Sequence, residues 1–559
     1  MTLLASLVVV PAIASAHPPE SSDHGVNDTA FTPLWSNDTD ETVLTGKNDS
    51  SNALQTLASG TDIPLNEPPQ AVEQWNRGAH GEFPRTDAET SAAPRHAVLE
   101  DGRYIRDAHA TLVSVQPSTI VHTSASERTH YVAPSGEVLG VVDFRVRTPS
   151  GSRSENRTVS HAVTQTRVSE TRLLVNGDVV ARQNQTQRPR LTYSELAASK
   201  EPTTLTLEAT IETTIRTTRR TCQEYNATQG SCNAWDGQTN YRSESITVTD
   251  SIDVRPYNLE VSGYVGRYPD GDLGLVVYKS DPWGGYERSD VDGRVNGIWR
   301  FYSARNPDWD ILERRTSDET ERVHSPVHPL EVHAFPIDVG PTAAPQPEVT
   351  ILDTFGEEFT PPTLPRNVSL DVVDEPYTAS YGLATQWEES EVGQGEEAGV
   401  VTARGLVRGV ETTRPLDTFA EVPIRESNVT LSVQNRSNET VRIRVILRDN
   451  ETGEPIDTRD RDGYLLVAGE RVDTNATGVV IYTIPADSAG VSARYVPGQW
   501  WLNIPGYTGD SDSIYVHSPT LDLLSTLFIF SVPVSLFLLA VLLIDRITGW
   551  RIWPPWRAL

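Results

Sequence analysis

The feature that most constrains this chain is an uncharged apolar run of 22 residues near its end, from Leu523 to Ile544. As a helix it is about 33 Å long, enough to cross the roughly 30 Å hydrocarbon core of a membrane. Three arginines and one aspartate follow it, in residues 545–559. By the positive-inside rule this tail is cytoplasmic. The sequence therefore predicts that residues 523–544 span a lipid bilayer and that everything before them lies outside.

The other end of the chain fits this topology. Residues 1–16 hold an apolar stretch that ends in Ala14-Ser15-Ala16, followed by a polar segment. An apolar run closed by an A-x-A site is typical of a secretory signal peptide. We expect a single-pass protein of the cell membrane, with its N-terminus outside and its C-terminus in the cytoplasm.

Glycosylation signals are abundant between these two ends. Of the 22 asparagines, 12 open an N-x-S/T sequon. Each sequon predicts a surface position in an exported chain. The candidate glycosylation sites are Asn27, Asn37, Asn48, Asn156, Asn184, Asn226, Asn367, Asn428, Asn435, Asn438, Asn450 and Asn475.

The chain has two cysteines, Cys222 and Cys232. In an oxidising compartment outside the cell the default prediction is a disulfide between them. It would close a small loop that contains the sequon asparagine Asn226. A redox or metal role is disfavoured, since there is no C-x-x-C motif and no histidine nearby.

Charge excludes one class of partner. The formal net charge is -29, and only three of the 47 basic residues are lysines. Because such an acidic surface repels phosphate backbones, we expect no nucleic-acid partner. Many carboxylates with few lysines resemble the composition of proteins from halophilic archaea, in which molar salt screens self-repulsion.

The pattern along the chain predicts an all-β protein, with several β-sandwich or Ig-like modules in tandem and one C-terminal transmembrane helix. After the signal peptide, residues 17–98 are a flexible arm rich in Ser, Thr and Asp, in which Val72 and Trp75 could dock onto the body. Residues 99–257 form a β domain, 258–345 an aromatic-rich β domain, and 346–423 a β segment or linker.

Two strands of alternating polarity, near residues 205–221 and 241–254, bracket the cysteines. They predict a long hairpin with a disulfide-closed, glycosylated tip. Such a tip could contact a partner, or it could be only a protease-resistant loop. Asn176-Gly177 predicts a tight hairpin turn, and the aromatic residues of 258–345 are expected to lie in a core.

Residues 424–518 contain short strands at intervals of about 8–12 residues, as in a β-sandwich. The segment RDNETGEPI, followed by GYLLVAGERVDTNATGVV, resembles Ig-like, invasin-like or transthyretin-like modules of prokaryotic surface proteins. The whole chain resembles single-pass surface glycoproteins of haloarchaea. The resemblance implies a β-sandwich fold and a role at the cell surface.

The sequence predicts no enzyme and no cofactor, because the common local motifs of hydrolases, metalloproteases and nucleotide-binding proteins are absent. His324, His328 and His333 are close in sequence, but the intervening prolines forbid the helix that would align the first two. Asp457, Asp460 and Asp462 are weak candidates for a calcium loop, since their spacing departs from the usual one.

Three functions are consistent with these features. The favoured hypothesis is a structural or adhesive glycoprotein that contacts a protein or glycan partner in the envelope or on another cell. The alternatives are an attachment or fusion spike of a virus or mobile element, and an envelope hydrolase whose carboxylate pair carries no local motif.

Overall fold

The computed structural model describes residues 63–65, 67–84, 88–199, 201–226, 228–279, 281–364, 371–379, 381–388, 399–516 and 519–548. Strands account for 56% of the chain and helices for 9%. The prediction of an all-β protein with one apolar C-terminal helix is confirmed.

The elements are numbered in chain order. The first part of the chain holds β1 Ile63–Leu65, helix α1 Ala71–Gly81, β2 Ser91–Pro94, β3 Ile105–His122, β4 Arg128–Val146, β5 Ser152–Ser154, β6 Arg157–Val175, β7 Asp178–Asn184, β8 Arg190–Tyr193, β9 Thr203–Asn226 and β10 Ser231–Pro256. The middle part holds β11 Val261–Arg267, β12 Leu273–Lys279, β13 Gly285–Arg288, β14 Arg294–Asn296, β15 Trp299–Arg305, a 3-10 turn Pro307–Trp309, β16 Ile311–Arg315, β17 Thr320–His324, β18 Leu330–Pro336, β19 Thr342–Ala344, β20 Val349–Phe355, β21 Glu358–Phe359, β22 Tyr377–Thr378, β23 Gly382–Trp387, β24 Val400–Arg404, β25 Glu411–Pro415, a 3-10 turn Leu416–Thr418, β26 Ala420–Glu421 and β27 Ile424–Arg425. The last part holds β28 Ser427–Arg436, β29 Thr440–Asp449, β30 Tyr464–Val467, β31 Glu470–Val472, β32 Val479–Pro485, β33 Gly490–Val496, β34 Gly506–Tyr507, β35 Ser511–Tyr515 and helix α2 Pro519–Thr548.

The chain divides into two compact units, which we describe separately. The first is built on an 11-stranded sheet in the order β1-β15-β18-β3-β4-β10-β9-β6-β5, with β7 paired to β6 and β8 to β4. Strands β15 and β18 come from the aromatic-rich segment and reach this sheet through a parallel pairing of β18 with β3.

Alternating side chains explain why the longest strands form. On β9, Leu205, Leu207, Ala209 and Ile211 are buried, while the threonines and glutamates between them are not. This period of two places one face of the strand on the hydrophobic core and leaves the other in solvent. Strand β9 pairs antiparallel with β10 from Thr203 to Asn226, so the predicted hairpin is confirmed. Asn176 and Gly177 form the predicted tight turn between β6 and β7, both with positive φ.

Helix α1 anchors the end of the predicted arm. Val72 and Trp75 are buried, and the indole nitrogen of Trp75 donates a hydrogen bond to the carbonyl of His328 at 2.7 Å. The expected docking of these two residues is therefore confirmed. In the aromatic-rich segment Trp283, Trp299 and Trp309 are also buried, as expected of a core.

The second unit contains a sandwich of two sheets, β28-β29-β32 and β31-β30-β33-β35. Their inner faces share one hydrophobic cluster that includes Val441, Ile443, Leu465, Val467 and Tyr495. Such a two-layer packing of antiparallel sheets is a β-sandwich. Helix α2 follows this module, and its segment Thr526–Thr548 is long and apolar enough to cross a membrane.

Candidate functional site

The hairpin of β9 and β10 extends well beyond the core of the large sheet. Ile215 is the last buried residue of β9, and none of residues 216–226 is buried. The neighbouring segments, residues 157–163 of β6 and 231–243 of β10, likewise contain no buried residue. We define the ribbon as residues 152–163, 216–226 and 231–243. Eleven residues of extended strand span about 35 Å, so the ribbon displays both faces over that length.

The tip of the ribbon is closed covalently. Cys222 and Cys232 form the predicted disulfide, with their Cα atoms 5.9 Å apart. The Oδ1 atom of Asn226 accepts hydrogen bonds from the backbone amides of Thr228 and Gln229. The amide of Cys222 also donates to the carbonyl of Asn156, which ties the β5–β6 turn to the tip. Because the ribbon has no core of its own, these links fix its shape.

The ribbon is basic in a strongly acidic chain. It carries six arginines and three acidic residues, a local charge of about +3 against -29 for the chain. All six arginines are exposed, and within the described part of the chain none is within ion-pair distance of a carboxylate. Exposed arginines are well suited to bidentate contacts with carboxylates. They are Arg153, Arg157, Arg216, Arg219, Arg220 and Arg242.

Aromatic side chains add apolar contact area to this surface. Tyr225, Trp235 and Tyr241 are 40%, 39% and 64% exposed. Trp235 lies opposite Cys222 and Tyr241 opposite Arg216 in the β9–β10 register. Exposed tyrosine, tryptophan and arginine are the residues most enriched at protein contacts.

This basic surface is not apparent from the amino-acid sequence. The sequence predicted the hairpin and its disulfide, but the register is what brings Arg153 and Arg157 beside the arginines of β9. One local signal could have indicated it, namely the segment Thr217-Thr-Arg-Arg-Thr221 in a chain of such high negative charge.

Eight of the twelve candidate glycosylation sites are described by the structure. Asn226 is half-buried, and the other seven are exposed, as the sequons predict. The exposed sites are Asn156, Asn184, Asn428, Asn435, Asn438, Asn450 and Asn475. Asn27, Asn37, Asn48 and Asn367 lie outside the described residues.

The structure does not gather the calcium candidates into a site. The Asp457 carboxylate is engaged by the guanidinium of Arg459 at 2.6 Å, which lowers the pKa of Asp457. Asp460 and Asp462 are exposed. Among the described residues, no group of three or more His, Cys, Asp or Glu side chains is arranged to hold a metal ion.

The three clustered histidines are also separated by the fold. His324 ends β17 and His328 lies in the following loop, whereas His333 is buried on β18. Nδ1 of His333 lies 3.0 Å from Nε2 of His122, a residue more than 200 positions away in sequence.

This histidine pair is part of the interior of the large sheet. The His122 ring stacks on Phe335, and burial lowers the pKa of His122 to about 3. The nearby His130 has its pKa lowered to about 4 by burial. A small cavity of about 110 Å³ adjoins His130 and Glu331. Burial against the core explains the lowered pKa values of His122 and His130.

The fold and the ribbon define a class of protein: a β-rich chain with one apolar C-terminal helix and a basic, disulfide-closed ribbon exposed on both faces. The chain belongs to the DUF8186 family of unknown function. Residues 81–257 match its N-terminal domain, 261–415 its central domain and 424–514 its C-terminal domain. Together these matches cover about three quarters of the chain, and the whole ribbon lies in the N-terminal domain.

No curated protein matches the chain. Among solved structures, it is similar to the structure titled "Marsupial T cell receptor", with 9% identity over 73% of this chain and 99% of that one, at a TM-score of 0.17. It is also similar to "The Bacillus anthracis TIE protein", with 8% identity over 73% of each chain, at a TM-score of 0.12.

Proposed function

We propose that this chain is a membrane-anchored, N-glycosylated extracellular protein of a halophilic archaeon that acts in cell-surface structure or adhesion. The observation that carries the proposal is the ribbon: about 35 Å of strand exposed on both faces, with six arginines free of ion pairs in the described structure. Arg145 and Arg288, by contrast, form ion pairs with carboxylates inside the fold.

The topology supports display outside the cell. Helix α2 supplies one apolar segment of membrane-spanning length. The three arginines after it and an N-terminal apolar run that resembles a signal peptide support an outward orientation of the β modules. The exposure of seven sequon asparagines fits a glycosylated exterior.

The contact chemistry follows from charge. In molar salt long-range attraction is screened within about 3 Å, so binding there depends on direct contacts. Arginine provides them through paired hydrogen bonds to carboxylates and stacking on rings. A partner rich in carboxylates, protein or acidic glycan, suits this surface in a saline medium.

The proposal is tested on whole cells that produce the full chain. Labelled cells are mixed in molar salt with unlabelled cells that carry or lack the gene, and cell-to-cell binding is counted. Saturable binding that needs the gene in both populations supports like-to-like adhesion, while binding to cells without the gene indicates a different receptor. Equal binding by labelled cells with and without the gene would contradict an adhesive role.

A further inference from the structure

Strand β10 has a free edge over most of its length in the ribbon. Its inner side pairs with β9 throughout, but its pairing with β4 is confined to Arg255 and Pro256. Glu244 is the first residue toward the body that bonds a neighbour on the outer side, through the amides of residues 103–105. Across the described residues, no backbone hydrogen bond reaches the outer side of residues 233–243.

This edge lacks the usual protection against pairing. Natural proteins guard such edges with lysine, proline, bulges or a covering segment. Residues 235–243 contain no lysine and no proline, and the bulge in this strand lies nearer the tip, between Cys232 and Trp235. The chain also has no sequon between Asn226 and Asn367, so none of residues 235–243 is a site for an N-linked glycan.

The residues of the edge are complementary to themselves. Asp236 and Arg242 are its only charged residues, and both lie on one face, paired with Thr221 and Ile215 of β9. In an antiparallel pairing of two such edges about Thr239, Asp236 of each copy faces Arg242 of the other. On the opposite face, Tyr241 of each copy faces Gly237 of the other. Opposite charges in direct register stabilise a pair of strands, and an aromatic ring covers a glycine on the neighbouring strand.

We propose that the β10 edge, residues 235–243, binds the same edge of a second copy of this chain, antiparallel and centred on Thr239. The contact is isologous, so each favourable pair occurs twice and the interface closes on itself. It joins two ribbons into one continuous sheet and gives the outer amides and carbonyls of β10 their partners. This adds to the proposed function a second copy of the chain as a partner at the β10 edge, and it rests on that function for the display of the ribbon outside the cell.

A second register is the main competitor. Centring the pair on Gln238 places Trp235 opposite Tyr241, but then Asp236 faces Asn240 and Arg242 faces Ala234. Both charges lose their opposite partner in that arrangement. In the first register Thr239 lies opposite Thr239 of the second copy, and in the competing register Gln238 lies opposite Gln238. A cysteine at each position therefore distinguishes the two registers.

Disulfide trapping of the full-length protein in its membrane tests the proposal. Directly opposed residues of antiparallel strands have Cα atoms about 4.5–5.5 Å apart, within reach of a disulfide. Both native cysteines are already paired, so Thr239→Cys introduces one free thiol per chain. Under mild oxidation we expect a covalent dimer on a non-reducing gel, formed at least tenfold faster than in Thr218→Cys. Thr218 lies opposite Thr239 on β9, one strand further from the edge.

Charge exchange tests the register in the same background. Asp236→Arg places two arginines opposite each other, and we expect it to slow cross-linking of Thr239→Cys several-fold. Adding Arg242→Asp restores opposite charges and is expected to restore the rate. Because all of these positions are exposed, the variants leave the fold intact, which circular dichroism verifies.

A Thr239→Cys protein that dimerises no faster than Thr218→Cys would overturn the proposal. Trapping through Gln238→Cys but not Thr239→Cys would overturn the register. A different result would contradict an adhesive role. If covalent dimers form but cell-to-cell binding does not depend on the gene, the β10 contact joins neighbouring chains in one membrane and does not join cells. If cell-to-cell binding depends on the gene but no covalent dimer forms, the adhesive role is supported and the β10 contact is contradicted.

Discussion

At the scale of single residues, the structure uses buried polar side chains to fix turns and strand ends. In the sandwich, the carboxylate of Asp449 is fully buried and accepts hydrogen bonds from Arg425, from Tyr507 and from the amides of Glu451 and Thr452. These contacts hold the pKa of Asp449 near 2 despite the opposing effect of burial. The turn that resembles surface-protein modules is thus organised by one carboxylate.

Replacing Asp449 with Asn should destabilise this module. The amide keeps the size of the side chain but loses the charge that Arg425 binds and turns a donor group toward other donors. Leaving buried partners unsatisfied costs about 1–3 kcal/mol, measured as the change in unfolding free energy by denaturant titration. The matched control is Asp460→Asn on the exposed surface, expected within about 0.5 kcal/mol of the parent. Equal effects of the two substitutions would contradict the assigned role of Asp449.

His109 predicts a pH dependence. It is fully buried, its Nε2 lies 3.0 Å from the carbonyl of Ala92, and burial lowers its pKa to about 4. The unfolded chain binds the proton at about pH 6.5, so the folded state is favoured above that value. Its stability contribution declines as pH falls from about 6.5 toward 4, by up to about 1.4 kcal/mol per pH unit.

The His109→Gln variant separates this contribution from that of the carboxylates, because both proteins carry the same carboxylates. The variant should lose stability at pH 7 through poorer packing. Between pH 6.5 and 4.5 its stability should decline less steeply than that of the parent, with His122 and His130 still contributing. Denaturant titrations at several pH values measure this slope, and an identical slope in both proteins would exclude His109 as a source.

At the scale of elements, the ribbon depends on cross-links more than on burial. Replacing Cys222 and Cys232 with serine removes a constraint worth up to about 3 kcal/mol by the loop-entropy model. Because residues 216–226 are not buried, the loss should be local. Amide exchange at the tip should accelerate by roughly 100-fold, with little change in the main melting transition. A large fall in that transition would show that the tip supports the core.

Some secondary-structure elements and pairings could be predicted from the sequence pattern, and others could not. Alternating polarity is a local signal, so the β9–β10 hairpin, the Asn176-Gly177 turn and the strands of the sandwich could all be predicted. The parallel pairing of His333 with Ile120 could not, since it joins strands about 200 residues apart without a local pattern. The basic surface could not be predicted for the same reason, because Arg153 and Arg220 are brought near each other only by the register of three strands, β5, β6 and β9.

At the scale of the whole molecule, charge should couple stability to salt. A net charge of -29 disfavours the compact state by self-repulsion. Screening tightens from about 8 Å at 0.15 M to about 3 Å at 1 M ionic strength. We therefore expect the melting temperature to rise by several degrees when sodium chloride is raised from 0.2 to 2 M. A melting temperature that does not change over this range would contradict adaptation to molar salt.

The central claim is that the basic ribbon makes the contacts of a surface-displayed protein. It is tested by cell-to-cell binding in molar salt, with full-length protein carrying Arg216→Gln, Arg219→Gln and Arg220→Gln. The matched control carries Arg442→Gln, Arg444→Gln and Arg494→Gln, three exposed arginines of the sandwich. With equal amounts of protein at the cell surface, we predict at least a tenfold loss of binding for the ribbon variant and no loss for the control. Equal binding by both variants would contradict the claim.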